Sequence, residues 1–373
     1  MLLGLNKSFF SYIFTGDTLK KIIIVLLILF PLKIHAYTPS ASSYTIMDMD
    51  TKRILKESNG NEQRLIASTT KIMTALVTLN NAKLDNVIKV SSEVLKSYGS
   101  GIYIEVGESI KIRDLLYGLM LRSGNDAAIE LAVNVGGSID GFVSLMNETA
   151  KSIGMKNTTF INPHGLENSE GIGNMSTSND MALLSIVASL NKTYKGIVST
   201  TKHTVKTDRK TYIWYNKNKL LTDYEYATGG KTGFTKKARR TLVTTASKNN
   251  MNITVVTLND PNDFKDHKEL YESVFSNYKK YQILNTKKRI LNNENYYIKN
   301  DFYMTLTKDE YQKIETNIIM HENSVSKVVG KYEVRLNDKV YHTENIYKKE
   351  QKDKKEELKW YQKIFRLLGV NNG

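Results

Sequence analysis

The sequence predicts a mixed α/β fold: a helical cluster against an antiparallel sheet, followed by a small all-β domain and a C-terminal amphipathic helix. Three patterns predict it. Apolar residues recur at helical spacing in successive blocks: Ile72, Met73, Leu76 and Leu79, then Leu115, Leu116, Leu119 and Met120, then Phe142, Leu145, Met146 and Ile153. Two β-rich runs, 241–246 and 253–258, join through Lys248-Asn249-Asn250, which is a hairpin signal. From 287 to 347, short alternating runs such as Tyr296-Tyr297-Ile298 and Phe302-Tyr303-Met304 read as strands of a separate β module.

The N-terminal segment sets the expected location. Lys20-Lys21 precede an apolar run over 22–32, and Ile34-His35-Ala36 ends in a small residue. A basic flank, a short apolar core and a terminal Ala describe a secretory signal over 1–36. The run is short for a membrane span, and an uncleaved anchor is the alternative. The chain has 373 residues, no cysteine and a formal charge of +15. Disulfides, thiolate catalysis and cysteine zinc sites are therefore excluded. The basic residues are dispersed, so an anionic envelope surface fits the charge better than nucleic acid.

In chain order, residues 44–47 alternate, and Asp48-Met49-Asp50-Thr51 followed by Ile54-Leu55 completes a hairpin. Next comes the helix of Ile72 and Leu76. Ser68 stands at its start, where serine is a favoured cap. Lys71 is three residues on and so shares a face with Ser68. A lysine held near other cations or in a dry pocket can lose its proton and serve as a base. A serine beside such a base is an activated nucleophile. Ser-x-x-Lys is common by itself, and taken alone a capping serine with a solvated lysine is the favoured reading there.

Residues 91–107 read as a loop. A helix over 112–121 ends at Arg122-Ser123-Gly124-Asn125, and another starts at Asp126. Ser123-Gly124-Asn125 is thus a tight connection in which glycine frees the backbone. Phe142 to Ile153 mark a helix ended by Gly154, and Asn162-Pro163-His164-Gly165-Leu166 is a loop whose histidine is either structural or close to a site. A short apolar helix covers 180–190. Lys231-Thr232-Gly233, inside Thr228-Gly229-Gly230-Lys231-Thr232-Gly233-Phe234-Thr235, falls on the strand before the hairpin, where glycines permit close backbone approach. An amphipathic helix carrying Phe264, Leu270, Tyr271, Val274, Phe275 and Tyr278 packs on the sheet and closes the first domain near Gln282. The expected domains are 37–283 and 284–347. The tail, 348–373, is charged and then basic-amphipathic, with Leu358, Tyr361, Ile364, Phe365 and Leu368 on one face, as suits a membrane surface.

Ser68-Thr69-Thr70-Lys71, Ser123-Gly124-Asn125 and Lys231-Thr232-Gly233 occur in this order at a helix start, a helix–helix loop and a strand. That triple is the pattern of penicillin-recognising serine enzymes. The sequence resembles the low-molecular-weight penicillin-binding proteins that act as serine D-alanyl-D-alanine carboxypeptidases. The resemblance runs from about residue 44 to 281 and includes Phe142-Val143-Ser144-Leu145-Met146-Asn147, Asn162-Pro163-His164-Gly165-Leu166, Ser176-Thr177-Ser178-Asn179-Asp180-Met181 and Gly229-Gly230-Lys231-Thr232-Gly233-Phe234-Thr235. Two departures are visible: Ile66 where many members have proline, and Arg239-Arg240 in place of a commoner Gly-Arg.

The resemblance implies a β-lactamase/transpeptidase-like first domain, no metal and no cofactor. It implies that Ser68 is the nucleophile, Lys71 its base, and Ser123 a proton relay to the leaving group. Asn125, Lys231, Thr232 and Gly233 would bind substrate, and the backbone N–H groups of Ser68 and Phe234 would form the oxyanion hole. The implied partners are peptidoglycan stem peptides ending in D-Ala-D-Ala, β-lactam antibiotics as inhibitors, and the outer face of the cell membrane through the C-terminal helix. Nucleic acid is not among them. A β-lactamase on the same scaffold would need a deacylating group in the loop of Glu167 and Glu170, where no Glu-x-x-Leu-Asn pattern stands. A DD-endopeptidase fits the same motifs. A non-catalytic peptidoglycan- or penicillin-binding sensor is the alternative from another class, and the intact motif residues speak against it. Neither H-E-x-x-H nor G-x-S-x-G occurs.

Overall fold

The last three strands before the final helix of the first core fold back on the N-terminal hairpin. In the computed structural model, β1 (Ser43–Asp48) and β2 (Ile54–Ser58) share one antiparallel sheet with β3 (Ala227–Thr235), β4 (Arg239–Lys248) and β5 (Met251–Leu258), in the order β2-β1-β5-β4-β3. The structure describes residues 37–291, 293, 295–321 and 327–349. The expected secretory segment and all but the first two residues of the expected tail lie outside the described residues. Among those described, no single helix is long and apolar enough to cross a membrane.

The β4–β5 turn follows from Asn249 and Asn250, which both take left-handed backbone (φ 52° and 62°). Asparagine tolerates that region, and two such residues match the twist of a tight hairpin. Register then pairs Val243 with Val256 and, across the other edge, Val243 with Lys231. β1 departs from the alternation expected of it. All six of its residues are buried, because both faces of the sheet are covered. On β5, Thr257 meets His267 of one helix at 3.0 Å, while Thr254, three residues earlier, meets Ser185 of another at 3.0 Å. An odd separation along a strand puts these helices on opposite faces.

The helical cluster comprises α1 (Lys71–Asn81), α2 (Ile112–Tyr117), α3 (Asn125–Gly136), α4 (Ile139–Ile153), α5 (Ser178–Ser189) and α6 (Lys192–Ser199), and α7 (Asp263–Asn277) covers the other face. Lys71 through Thr78 are all buried, so α1 runs through the core of the cluster. The helix expected over 112–121 stops at Tyr117 and widens into a π turn, Gly118–Arg122. Gly154 ends α4 with φ 90°, and the Thr177 hydroxyl accepts the Asp180 N–H at the start of α5.

The chain then enters a second apolar cluster that includes Leu284, Met304, Leu306, Val334 and Ile346. Lys279–Leu284 pairs with Phe302–Leu306, and a four-stranded sheet orders Tyr296–Tyr297, Lys339–Lys348, Val328–Leu336 and Ile314–Met320. The boundary expected between 283 and 284 therefore falls inside a strand. Side chains of the N-terminal hairpin reach into this module, and the Asp48 carboxylate accepts the Thr305 hydroxyl at 2.5 Å. Buried Arg53 donates to both Glu310 carboxylate oxygens (2.7 and 2.9 Å) and to the Thr305 carbonyl (2.8 Å). Such a two-pronged charged pair is among the stronger polar contacts. Arg53→Ala is expected to cost about 2 kcal/mol of stability by urea unfolding; an unchanged midpoint would contradict that linkage.

Candidate active site

The site begins with a strained turn. Ala67 has left-handed backbone (φ 47°), and the chain passes through a short 3-10 turn, Ala67–Thr70, into α1. Ser68 therefore sits inside this turn and is not a cap: Ile66 and Thr70 hold the two cap positions, and neither side chain makes a capping bond. The Ser68 hydroxyl lies instead 3.0 Å from the amine of Lys71.

Lys71 is wholly buried and has two further neighbours, Asn125 Oδ1 and the His164 carbonyl oxygen, each at 2.7 Å. The His164 contact depends on Gly165. A Cβ at that position would stand 2.0 Å from the Ala67 carbonyl, and its φ is 92°, so only glycine lets the loop press against the Ser68 turn. Asn174 anchors the same loop by donating to Thr70 Oγ1 and to the Asn162 carbonyl, both at 2.9 Å. The His164 ring is structural: its Nδ1 accepts the Leu166 N–H at 3.1 Å, and burial, then the nearby Lys71, pulls its pKa down to about 3. What this residue brings to the site is its backbone.

Burial pushes the Lys71 amine well below the usual lysine range, and the charges of Lys231 and Lys217 push it the same way. Two carbonyl oxygens, which can only accept, fix the amine beside the Ser68 hydroxyl, and once the amine has lost its proton its lone pair is free for that hydroxyl.

Ser123 and Asn125 reach the site from the π turn and the start of α3. Here the expectation for glycine fails: Gly124 has ordinary backbone (φ −60°), and Ser123 takes the left-handed one (φ 63°). Gly124 is small for packing, since a Cβ would stand 2.9 Å from Asp126 Oδ1. The Ser123 hydroxyl is buried and has no hydrogen-bond partner among the described residues. A buried hydroxyl in that state costs free energy unless something else engages it. Asn125 is held at both ends of its amide, with Oδ1 on Lys71 and Nδ2 donating to the Tyr98 carbonyl at 2.6 Å. The expectation that it binds substrate is joined here by a visible contact with Lys71.

β3 supplies the opposite wall. Lys231 is 1% exposed and donates to the Thr232 carbonyl at 2.7 Å. Burial, then the charge of Lys217, lowers its pKa to about 7. A Cβ on Gly233 would meet Thr241 Oγ1 at 2.3 Å and the Ser68 and Thr69 amide nitrogens at 3.0 and 3.1 Å. The missing side chain thus makes room for the protein's own Ser68 turn, and it brings the Ser68 amide against the strand that carries Phe234. Arg239, at a position where glycine is commoner, has φ 60°, which explains that preference.

Ser68, Ser123, Thr232, Gly233 and Phe234 line one cleft of about 450 Å³. A larger cavity, about 610 Å³, lies between Ile186, Val198 and the far end of β3, and none of the motif residues lines it. The catalytic cleft also holds residues that sequence reasoning missed: Ser100, Lys217, Lys219, Arg240, Asp263 and Phe264. No local pattern marks them, because loops distant in sequence bring them together.

Ser68 and the unpartnered Ser123 hydroxyl thus open into one cleft, with Lys71 buried behind Ser68 and Lys231 buried beneath Thr232 on the edge strand. The profile of the peptidase S11 family, D-alanyl-D-alanine carboxypeptidase, matches residues 32–262. The chain belongs to this family. It is 34% identical over 218 residues to D-alanyl-D-alanine carboxypeptidase DacF of Bacillus subtilis, covering 57% of this chain and 55% of that protein. Against DacA of Haemophilus influenzae the identity is 28% over 338 residues, covering 82% of this chain and 84% of the other. The crystal structure of D-alanyl-D-alanine carboxypeptidase DacD from Francisella tularensis matches with a TM-score of 0.67 at 25% identity, covering 86% of this chain and 95% of that one. The expected transpeptidase-like α/β fold is therefore the family's fold, and the chain is a serine peptidase of this family.

Proposed function

We propose that the chain is a serine D-Ala-D-Ala carboxypeptidase acting on peptidoglycan stem peptides. The observation that carries this reading is the Lys71 amine held by two carbonyl acceptors 3.0 Å from Ser68 Oγ. Lys71 takes the hydroxyl proton as Oγ attacks the carbonyl carbon of the penultimate D-alanine. The developing oxyanion accepts from the Ser68 and Phe234 backbone N–H groups. Collapse breaks the peptide bond. The leaving D-alanine takes a proton through Ser123, while Lys231 and Thr232 hold its carboxylate. Water then hydrolyses the ester and restores Ser68. Asn125 fixes Lys71, and its second amide N–H would hold the substrate amide.

Penicillin would esterify the same Ser68 hydroxyl by opening of its β-lactam ring and persist there as the penicilloyl ester. Slow deacylation fits the loop after His164: the Glu167 carboxylate is engaged by the Thr235 hydroxyl, and Glu170 is exposed. Residues 37–283 carry the chemistry in this reading. The module at 284–347 is a spacer, and the tail at 348–373 attaches a secreted enzyme to the outer face of the cell membrane. Arg53→Ala, which loosens the module, should then leave acylation by penicillin unchanged; a matching loss would count against the spacer role. Flotation of the chain with anionic vesicles tests the attachment, and its absence would remove that part.

The deciding assay is release of D-alanine from a soluble peptide ending in D-Ala-D-Ala, set beside cleavage of a cross-linked dimer. Faster release from the linear peptide is expected. Cleavage of the cross-link alone would make the chain an endopeptidase.

The pH profile follows from the two lysines. Below its lowered pKa, Lys71 is protonated and cannot accept, so kcat/KM rises with pH as it deprotonates. Above about pH 7, Lys231 loses the charge that holds the carboxylate, so kcat/KM falls again. Lys231→Arg, charged throughout, should lose the falling limb. A parental kcat/KM that climbs steadily into the alkaline range would contradict this assignment.

A further inference from the structure

The reaction uses one carboxylate, which the proposed function assigns to Lys231 and Thr232. The cleft presents more positive charge than that. Lys217 and Lys219 both line it and are exposed, and buried Asn218 lies between them. Their backbone is fixed. Lys217 N–H donates to the Leu121 carbonyl at 3.1 Å, and Asn218 N–H donates to Asn216 Oδ1 at 2.9 Å. Both side chains thus rise from an anchored turn beside the Ser123 loop.

Neither is neutralised by the protein. Lys217 Nζ donates to the uncharged Ser100 hydroxyl at 3.2 Å, and no carboxylate makes an ion pair with Lys217 or Lys219 among the described residues. The cleft's carboxylate, Asp263, is buried and already held by Arg240 at 2.7 Å and by the Phe264 N–H at 2.8 Å. Exposed Phe234 and partly exposed Phe264 form the apolar part of the lining. Partial desolvation in the cleft, then repulsion by Arg122, lowers the Lys217 pKa although much of the side chain meets solvent, and the Lys217 charge in turn bears on both Lys71 and Lys231. A second anion in the cleft would relieve all of these repulsions.

We propose that Lys217 and Lys219 recognise a second carboxylate on the substrate, carried by the side chain of the residue preceding the two D-alanines. The preferred substrate is then a dianionic stem peptide and not its amidated form. This inference rests on the carboxypeptidase reading. It concerns which stem peptide is chosen, whereas that reading concerns which bond is cut.

The test uses the full chain and two peptides that differ in one carboxylate: Nα-acetyl-Nε-succinyl-Lys-D-Ala-D-Ala and Nα,Nε-diacetyl-Lys-D-Ala-D-Ala. At low ionic strength, kcat/KM should favour the succinyl peptide by roughly three- to tenfold, mostly through KM, as one or two partly exposed ion pairs allow. Salt should shrink the preference. In the Lys217→Gln/Lys219→Gln double variant the ratio should fall to about one. Comparing the two peptides within each variant cancels any effect of Lys217 on the chemical step. Equal kcat/KM for the two peptides in the parent, or an unchanged preference in the double variant, would overturn the second-carboxylate site and leave the carboxypeptidase reading standing. If neither peptide lost D-alanine, the carboxypeptidase reading would fall and this inference with it.

Discussion

Replacing Lys71 by methionine should slow acylation of Ser68 by a factor of about 10²–10⁴, the usual worth of a positioned general base. The amine is the one group at hydrogen-bond distance from Ser68 Oγ among the side-chain contacts seen, and its burial lowers its pKa well below the usual lysine range, which favours the proton-accepting form. Lys71→Arg should fare no better, because a guanidinium keeps its proton and has no lone pair to offer. Some destabilisation is expected with methionine, since Asn125 Oδ1 and the His164 carbonyl lose their donor. Rapid mixing with a chromogenic penicillin measures the acylation rate, and circular dichroism checks that each variant is folded. Near-parental acylation by a folded Lys71→Met protein would remove Lys71 from the mechanism.

Ser123→Ala separates catalysis from stability. The hydroxyl is buried without a partner, so its removal should leave stability unchanged or raise it slightly. Turnover of a D-Ala-D-Ala peptide should nevertheless fall by about 10²–10³, because the leaving amine loses its route to a proton. Urea unfolding and D-alanine release, measured on one preparation, give both numbers. A loss of stability with unchanged turnover would reverse the assignment and make Ser123 a structural residue.

Much of the site was legible because the chemistry is carried by short local patterns. Apolar spacing placed Ile72 and Leu76 on a helix and so put Ser68 and Lys71 on one face. Two asparagines between β-rich runs marked the β4–β5 hairpin. What failed was backbone detail and long-range contact. Ser68 looked like a cap, but left-handed Ala67 inserts a 3-10 turn before α1. Glycine was expected to absorb the strain at residue 124, yet Ser123 carries it, because packing against Asp126 and not backbone freedom is what keeps Gly124 small. The alternation of β1 marks it as a strand but cannot reveal that helices cover both faces and bury all six of its residues. The His164 carbonyl was invisible for another reason: a backbone atom has no sequence signature, and its approach depends on Gly165 nesting against Ala67, 98 positions earlier in the chain. Lys217 likewise gains meaning only from its place beside Ser100.

The central claim is that Ser68 becomes esterified. Incubating the folded parent and folded Ser68→Ala with benzylpenicillin, then weighing the intact proteins and their peptides, tests it most directly. The expected result is one penicilloyl mass on the parental peptide that contains Ser68 and none on Ser68→Ala. An adduct that survives in Ser68→Ala, or one that maps to another residue in the parent, would contradict it.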